Sequence, residues 1–190
     1  MFSAVLDTSV LWPSTQRDFL LSLAVENLYR PLWSSALLEE LHYTNLRKLL
    51  ARSVPPAKAE AQSARLIEQM RLAFDDAEVT HWEPYEGTFR LPDFADEHVV
   101  AAALAGGAGA IVTENLKAFP EECLPRGIQV VATRDFAADA VSVSPQRALR
   151  AVSRMSARRR HPPESVDDLL LVLRERYGMD EAVTMLEELL

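Results

Sequence analysis

The sequence is poor in several features that would assign a protein to a class at once. It has a single cysteine, Cys123, so an internal disulfide is excluded and a reducing compartment is expected. No apolar run is long enough to span a bilayer, and the first residues lack the basic and apolar regions of a secretory signal. We therefore expect a cytoplasmic protein with no membrane segment.

The chain also has few positive charges. Its 20 Lys and Arg residues face 28 Asp and Glu residues, for a net charge of −8. This balance argues against a protein that coats nucleic acid nonspecifically. It does not exclude an enzyme that cuts nucleic acid with a metal, because clustered acids that hold cations also lower the net charge. With 48% hydrophobic residues in 190, the chain can build one substantial core.

Hydrophobic periodicity predicts alternating strands and helices. Short apolar or extended runs predict strands near residues 2–6, 31–33, 78–82, 109–113 and 128–132. Helical spacing or composition predicts helices at 14–29, 34–50, 57–74, 94–105 and 134–141. Strands separated by helices indicate an α/β domain with a central, mostly parallel sheet.

The pattern changes after Ser144-Pro145, where no further strand is predicted. Three helices are expected there, broken at His161-Pro162-Pro163 and at Gly178. We therefore divide the chain into an α/β domain, residues 1–143, and a small all-helical C-terminal extension, residues 144–190.

Acidic and amide side chains stand at the ends of these predicted elements. Asp7 ends the first strand, Glu40 lies in the helix after Ser34, and Asp93 and Asp96 open a helix; Asn115 follows the strand 109–113. Ligands of open parallel sheets bind at the carboxyl ends of the strands. Clustered carboxylates repel one another unless a cation lies among them, and their hard oxygens suit Mg²⁺ or Mn²⁺.

Simpler explanations exist for each residue taken alone. Asp93 and Asp96 have the spacing of a capping box, and Glu40 could belong to a solvated helix face. Other enzyme classes fit less well. A haloacid-dehalogenase-type phosphotransferase needs a second acid where Ser9 stands, and the four histidines are too scattered for a zinc site.

As an ordered set, however, the segments resemble the motifs of PIN-domain nucleases. LDTSVL resembles the opening motif, with Asp7, and WSSALLEEL resembles the second, with Glu40. LPDFADEHVVAAAL resembles the third, whose principal acid is Asp96 and whose additional acid is Asp93. AIVTENLKAFP resembles the fourth, with Asn115, although Ala118 stands where many relatives carry an acid.

The resemblance implies a three-layer α/β/α fold and a metal-dependent endoribonuclease. In bacteria its usual setting is the toxin of a type II toxin–antitoxin pair, with an RNA substrate and a small antitoxin partner, and dimers are expected. The helical C-terminal part also resembles the extension of some VapC-type toxins. A non-catalytic PIN-like module that binds RNA or protein is the alternative.

On this interpretation each polar residue receives a role. Asp7, Asp96 and Glu40 would form the metal site. Asp7 and Asp96 would hold Mg²⁺ or Mn²⁺, and Glu40 and Asp93 would bind it through water or complete a second, weaker site. Asn115 would position water or a phosphate oxygen. Hydroxyls that orient the carboxylates are expected from Thr8, Ser9 and Thr113.

Basic residues that contact RNA are also expected. The densest cluster is in the extension, at Arg154, Arg158, Arg159 and Arg160, and a second candidate follows Glu40, at Arg47, Lys48 and Arg52. Either cluster could instead be a solvated helix face. The extension could also cover an antitoxin groove or form a dimer contact.

Overall fold

The computed structural model describes residues 1–190 and contains one five-stranded, all-parallel sheet with the order β3-β2-β1-β4-β5. The strands are β1 Ser3–Leu6, β2 Arg30–Ser34, β3 Glu78–Val79, β4 Ala110–Val112 and β5 Gln129–Val131. The prediction of a mostly parallel sheet is confirmed.

Helices connect the strands and cover the sheet in a three-layer α/β/α arrangement. They are α1 Thr8–Leu11, α2 Ser14–Val25, α3 Ser35–Ala51, α4 Pro56–Ala73, α5 Glu97–Gly106 and α6 Thr133–Val143. Short 3-10 turns lie at Glu83–Tyr85, Phe94–Asp96, Leu116–Ala118 and Glu121–Cys123. The apolar helix α5 packs against β1, β2 and β4 and is buried from Glu97 to Ala103.

The C-terminal extension forms the three helices predicted for it: α7 Pro145–Arg158, α8 Val166–Tyr177 and α9 Asp180–Glu187. Ser165 and Asp168 form a capping box at the start of α8, and Gly178 ends that helix with a left-handed φ of 63°. Helix α7 packs on α2 and α9 packs on α6. One connected hydrophobic core runs through the sheet and these helices, and the domain division at residue 143 stays a prediction.

Three predicted elements have different bounds. Helix α2 ends at Val25 instead of residue 29, because Asn27 adopts a left-handed φ of 56°. The strand predicted at 78–82 stops at Val79, and His81 beyond it has a φ of 60°. The helix predicted at 94–105 begins with a 3-10 turn and becomes α-helical only at Glu97.

None of the helices combines the length and the apolar content that crossing a membrane requires. Two helix ends near the sheet are capped. Ser34 accepts a hydrogen bond from the Leu37 N–H at the start of α3, and Gly107 ends α5 in the left-handed region with φ 64°.

Candidate active site

The register of β1 and β4 places Asp7 beside Thr113. Leu6 pairs with Val112 in the parallel sheet, so the next residue of each strand emerges at the same carboxyl edge. The Thr113 and Ser9 hydroxyls both donate to Oδ2 of Asp7, each over 2.7 Å. The other carboxylate oxygen, Oδ1, receives no hydrogen bond from the protein. Hydrogen bonds to Oδ2 therefore fix Asp7 in place, and Oδ1 remains available to bind a ligand.

Glu40 is held in a similar way from two other elements. Thr8 Oγ1 donates to Oε2 over 2.8 Å, and His98 Nε2 lies 3.1 Å from Oε1. Burial alone would raise the pKa of Glu40, but the hydrogen bonds from His98 and Thr8 outweigh it and lower the pKa. Glu40 is thus kept ionised and fixed in place, although α3 exposes much of its side chain to solvent.

Asp96 lies at the junction of the 3-10 turn and α5, and its carboxylate makes no hydrogen bond within the protein. Burial raises its pKa, and the negative charges of Asp7, Asp93 and Glu40 raise it further. Asp96 is therefore close enough to the other three acids to be repelled by them. A divalent cation would relieve that repulsion, and hard carboxylate oxygens are the ligands that Mg²⁺ and Mn²⁺ prefer.

Asp93 caps the 3-10 turn Phe94–Asp96, which is the simpler explanation that its sequence position offered. Its carboxylate accepts a hydrogen bond from the Ala95 N–H over 2.9 Å. The reciprocal bond of a capping box is absent, because Asp96 makes no side-chain cap. Asp93 is exposed at the rim of the site, and the two roles, capping and repulsion of Asp96, coexist.

Asn115 reaches the site through the backbone. Its N–H donates to Thr113 Oγ1 over 3.0 Å, and the neighbouring Glu114 N–H donates to Ser9 Oγ over 3.1 Å. The Asn115 side chain makes no hydrogen bond within the protein and is exposed. The loop after β4 is thereby tied to the hydroxyls that hold Asp7.

The sequence reasoning missed two residues of the segment 91–98. His98 is buried, holds Glu40 and packs its ring edge-on against Trp82 at 6.2 Å between centroids. Glu97, only 2% exposed, accepts hydrogen bonds from the Phe89 and Leu91 N–H groups and so anchors the loop before Asp93. The local signal was the adjacency of Glu97 and His98 to Asp96 at the start of an apolar helix.

The carboxylates do not form a closed ligand set. No group of three or more His, Cys, Asp or Glu side chains is arranged closely enough to hold a metal ion. The hydroxyl network is nevertheless complete: Thr8, Ser9 and Thr113, the three hydroxyls expected from the sequence, all hydrogen-bond to a site carboxylate. The arrangement is that of an open acid cluster, in which Glu40 and Asp93 are exposed and Asp7 and Asp96 are partly buried.

The arginine cluster of the extension has partners within the protein. Arg154 pairs with the buried Glu26 at 2.6 Å, and Arg158 and Arg159 pair with Asp18 at 2.8 and 3.2 Å. These ion pairs hold α7 on α2. Arg160 makes no salt bridge, and RNA contact by the four arginines stays a prediction.

Two family models match the chain. Residues 3–117 match the PIN domain, and residues 135–188 match the VapC50 C-terminal domain. No curated protein and no solved structure matches the chain significantly. The first match covers the sheet through β4 and every residue of the acid cluster, and the second covers most of α6 and the three helices after it.

Proposed function

The chain belongs to the PIN-domain family, as a VapC-type protein with a helical C-terminal domain, and we propose that it is a metal-dependent endoribonuclease. The observation that carries the proposal is the acid cluster of Asp7, Glu40 and Asp96 with its hydroxyl supports, at the carboxyl edge of β1 and β4. Burial and then the charges of Asp7, Asp93 and Glu40 raise the pKa of Asp96, and the second of these effects supports a cation-binding role.

In this proposal Asp7, Asp96 and Glu40 hold Mg²⁺ or Mn²⁺, and Asp93 adds negative charge at the rim. When bound, the metal supplies an activated water and stabilises charge on a phosphodiester. The protein contributes orientation: Ser9 and Thr113 fix one oxygen of Asp7, and Thr8 and His98 fix Glu40.

Asn115 is proposed to position water or a phosphate oxygen with its exposed amide. Its backbone is fixed by Thr113, so the amide is presented from an anchored loop. Because the chain carries both a PIN domain and a VapC50-type C-terminal domain, we propose that it acts in the cytoplasm as the toxin of a type II pair. A small antitoxin and a second copy of the chain are the partners proposed with it.

One observation favours the alternative, a non-catalytic module that binds RNA or protein: the acids do not form a closed metal-ligand set. Metal binding separates the two functions. Calorimetry on the purified chain should give a Mg²⁺ or Mn²⁺ binding isotherm for the nuclease and none for the module.

The decisive assay is cleavage of total bacterial RNA with Mg²⁺ or Mn²⁺ and with chelator. Asp96→Asn should abolish the metal-dependent fragments without unfolding the chain. Asp139→Asn is the matched control, since Asp139 is exposed on α6 and its carboxylate has no partner. Absence of cleavage and of metal binding in the parent would leave the binding module as the function.

A further inference from the structure

A groove of about 570 Å³ opens directly beside the acid cluster. Ser9 and Trp12 line it from the N-terminal region, and Glu114 lines it from the loop after β4. Arg134 lines it from the start of α6, and Arg176 and Tyr177 from the end of α8. Ser9 also donates to Asp7, so the groove and the carboxylate site share a wall. Its volume lies within the range of about 300–1,000 Å³ typical of ligand sites.

Positive charge gathers at the Trp12 side of this groove. Arg134 and Arg176 line the groove itself, and Lys48 lies against Trp12 at its edge. Burial lowers the pKa of the Lys48 ammonium, and the positive charges of Arg52, Arg17 and Arg176 lower it further. The Lys48 Nζ lies 5.5 Å from the centre of the Trp12 ring. None of these four cations forms a salt bridge, in a chain whose net charge is −8. Lys48 donates to the Trp12 carbonyl over 3.4 Å and Arg17 to the Leu11 carbonyl over 2.7 Å. No carboxylate pairs with Lys48 or Arg176, so an anionic ligand would be favoured here.

Aromatic rings accompany the cations. Trp12 is 41% exposed, and the Arg176 guanidinium lies 5.6 Å from the centre of the half-buried Tyr177 ring. Cations that follow a backbone, combined with exposed rings on which bases stack, are the features of sites for single-stranded nucleic acid. The extension contributes to this groove through the end of α8, whereas the arginines of α7 are paired with Asp18 and Glu26.

We propose that this groove is a substrate subsite, in which Arg176 and Lys48 bind phosphates of single-stranded RNA and Trp12 stacks on a base. The inference rests on the proposed ribonuclease function and adds where the strand lies. RNA would run from the acid cluster, past Ser9 and Trp12, toward the C-terminal helices. The helical extension is then part of the substrate site.

The test measures binding of a fluorescently labelled, mixed-sequence single-stranded RNA to the full chain carrying Asp96→Asn, so that cleavage is not required. The double variant Lys48→Gln/Arg176→Gln should weaken binding about tenfold or more. It should also reduce the slope of log K against log [salt] by about 1.4, since each lost phosphate contact on a single strand contributes about 0.7.

Trp12→Ala should weaken binding about fivefold or more, and Trp12→Phe should restore most of it, because stacking needs a ring but not an indole. Arg65→Gln is the charge-matched control: Arg65 is exposed on α4, makes no salt bridge and lies outside the groove. It should leave both affinity and salt slope unchanged. Circular dichroism of each variant shows whether the fold is retained.

If the double variant binds RNA with the same affinity and the same salt slope as its parent, the inference is overturned. So would a double variant that binds RNA normally but loses a co-purifying protein partner, which would make the groove a protein-binding surface. Failure of the nuclease proposal is distinguishable: RNA binding that depends on the groove, with no cleavage by the Asp96-containing chain, would refute catalysis alone. Unchanged KM for cleavage in the double variant would refute the groove alone.

Discussion

Replacing Thr113 by valine removes one hydroxyl from the acid cluster while keeping nearly the same side-chain shape. The Thr113 side chain is fully buried, donates to Asp7 over 2.7 Å and accepts from the Asn115 N–H over 3.0 Å. Both groups would lose a partner at once. The variant therefore tests whether the hydroxyl network positions Asp7 or only fills space.

The magnitude follows from the kind of bond that is lost. A hydrogen bond to a charged group contributes about 1.5–3 kcal/mol, and the lower half applies here because Ser9 still donates to the same oxygen. For a chain of this size, a loss of about 1.5–2 kcal/mol lowers the unfolding midpoint by roughly 3–8 °C. If the bond also orients Asp7 for metal, affinity for Mn²⁺ and the cleavage rate should each fall about 10–100-fold.

The chain offers a matched control in Thr133. It is also a buried threonine just after a strand, but its Oγ1 has no hydrogen-bond partner within the protein. Thr133→Val should therefore be neutral or stabilising by up to about 1 kcal/mol, with unchanged metal affinity. Thermal unfolding, Mn²⁺ calorimetry and RNA cleavage are measured for both variants. Equal stability and metal affinity in the two variants, or wild-type metal affinity in Thr113→Val, would show that the Thr113 hydroxyl does not position Asp7.

Three further changes test the site and the extension. Asp96→Asn should raise the free energy of unfolding at neutral pH. The folded state raises the pKa of Asp96 above 3.8, so the parent loses stability as pH rises from 3.8 through the raised pKa, whereas the variant does not. Unfolding midpoints that change equally with pH in both proteins would contradict this. His98→Gln should lower the free energy of unfolding most below pH 6.5. Burial lowers the pKa of His98, but the hydrogen bond and charge of Glu40 outweigh burial and raise it above 6.5. The difference in unfolding free energy between parent and variant should therefore shrink as pH rises through the raised pKa. Ser165→Ala should lower the free energy of unfolding by about 1 kcal/mol through loss of the cap on α8, measured by urea titration, with RNA cleavage unchanged.

Residues that act through neighbours in sequence were predictable. The helix break at Gly178 was expected and is observed, because a helix end depends on backbone groups within one turn. The placement of Asp7 and Asn115 at the sheet edge followed from the strand pattern, since parallel strands end on one side. Boundaries failed where single residues, such as Asn27 and His81, adopt left-handed backbone conformations.

Hydrophobic periodicity and local caps encode the α/β architecture, the helical extension and the segments that carry the acids, so these could be predicted directly. Which side chains touch one another is a property of the packed fold. His98 meets Glu40 across 58 residues, Thr113 meets Asp7 across 106, and Arg158 meets Asp18 across 140. Such pairs depend on strand register and on how helices pack, which no local pattern specifies. The same packing pairs the arginines of α7 with Asp18 and Glu26, and it brings Arg176 to the groove beside the acids.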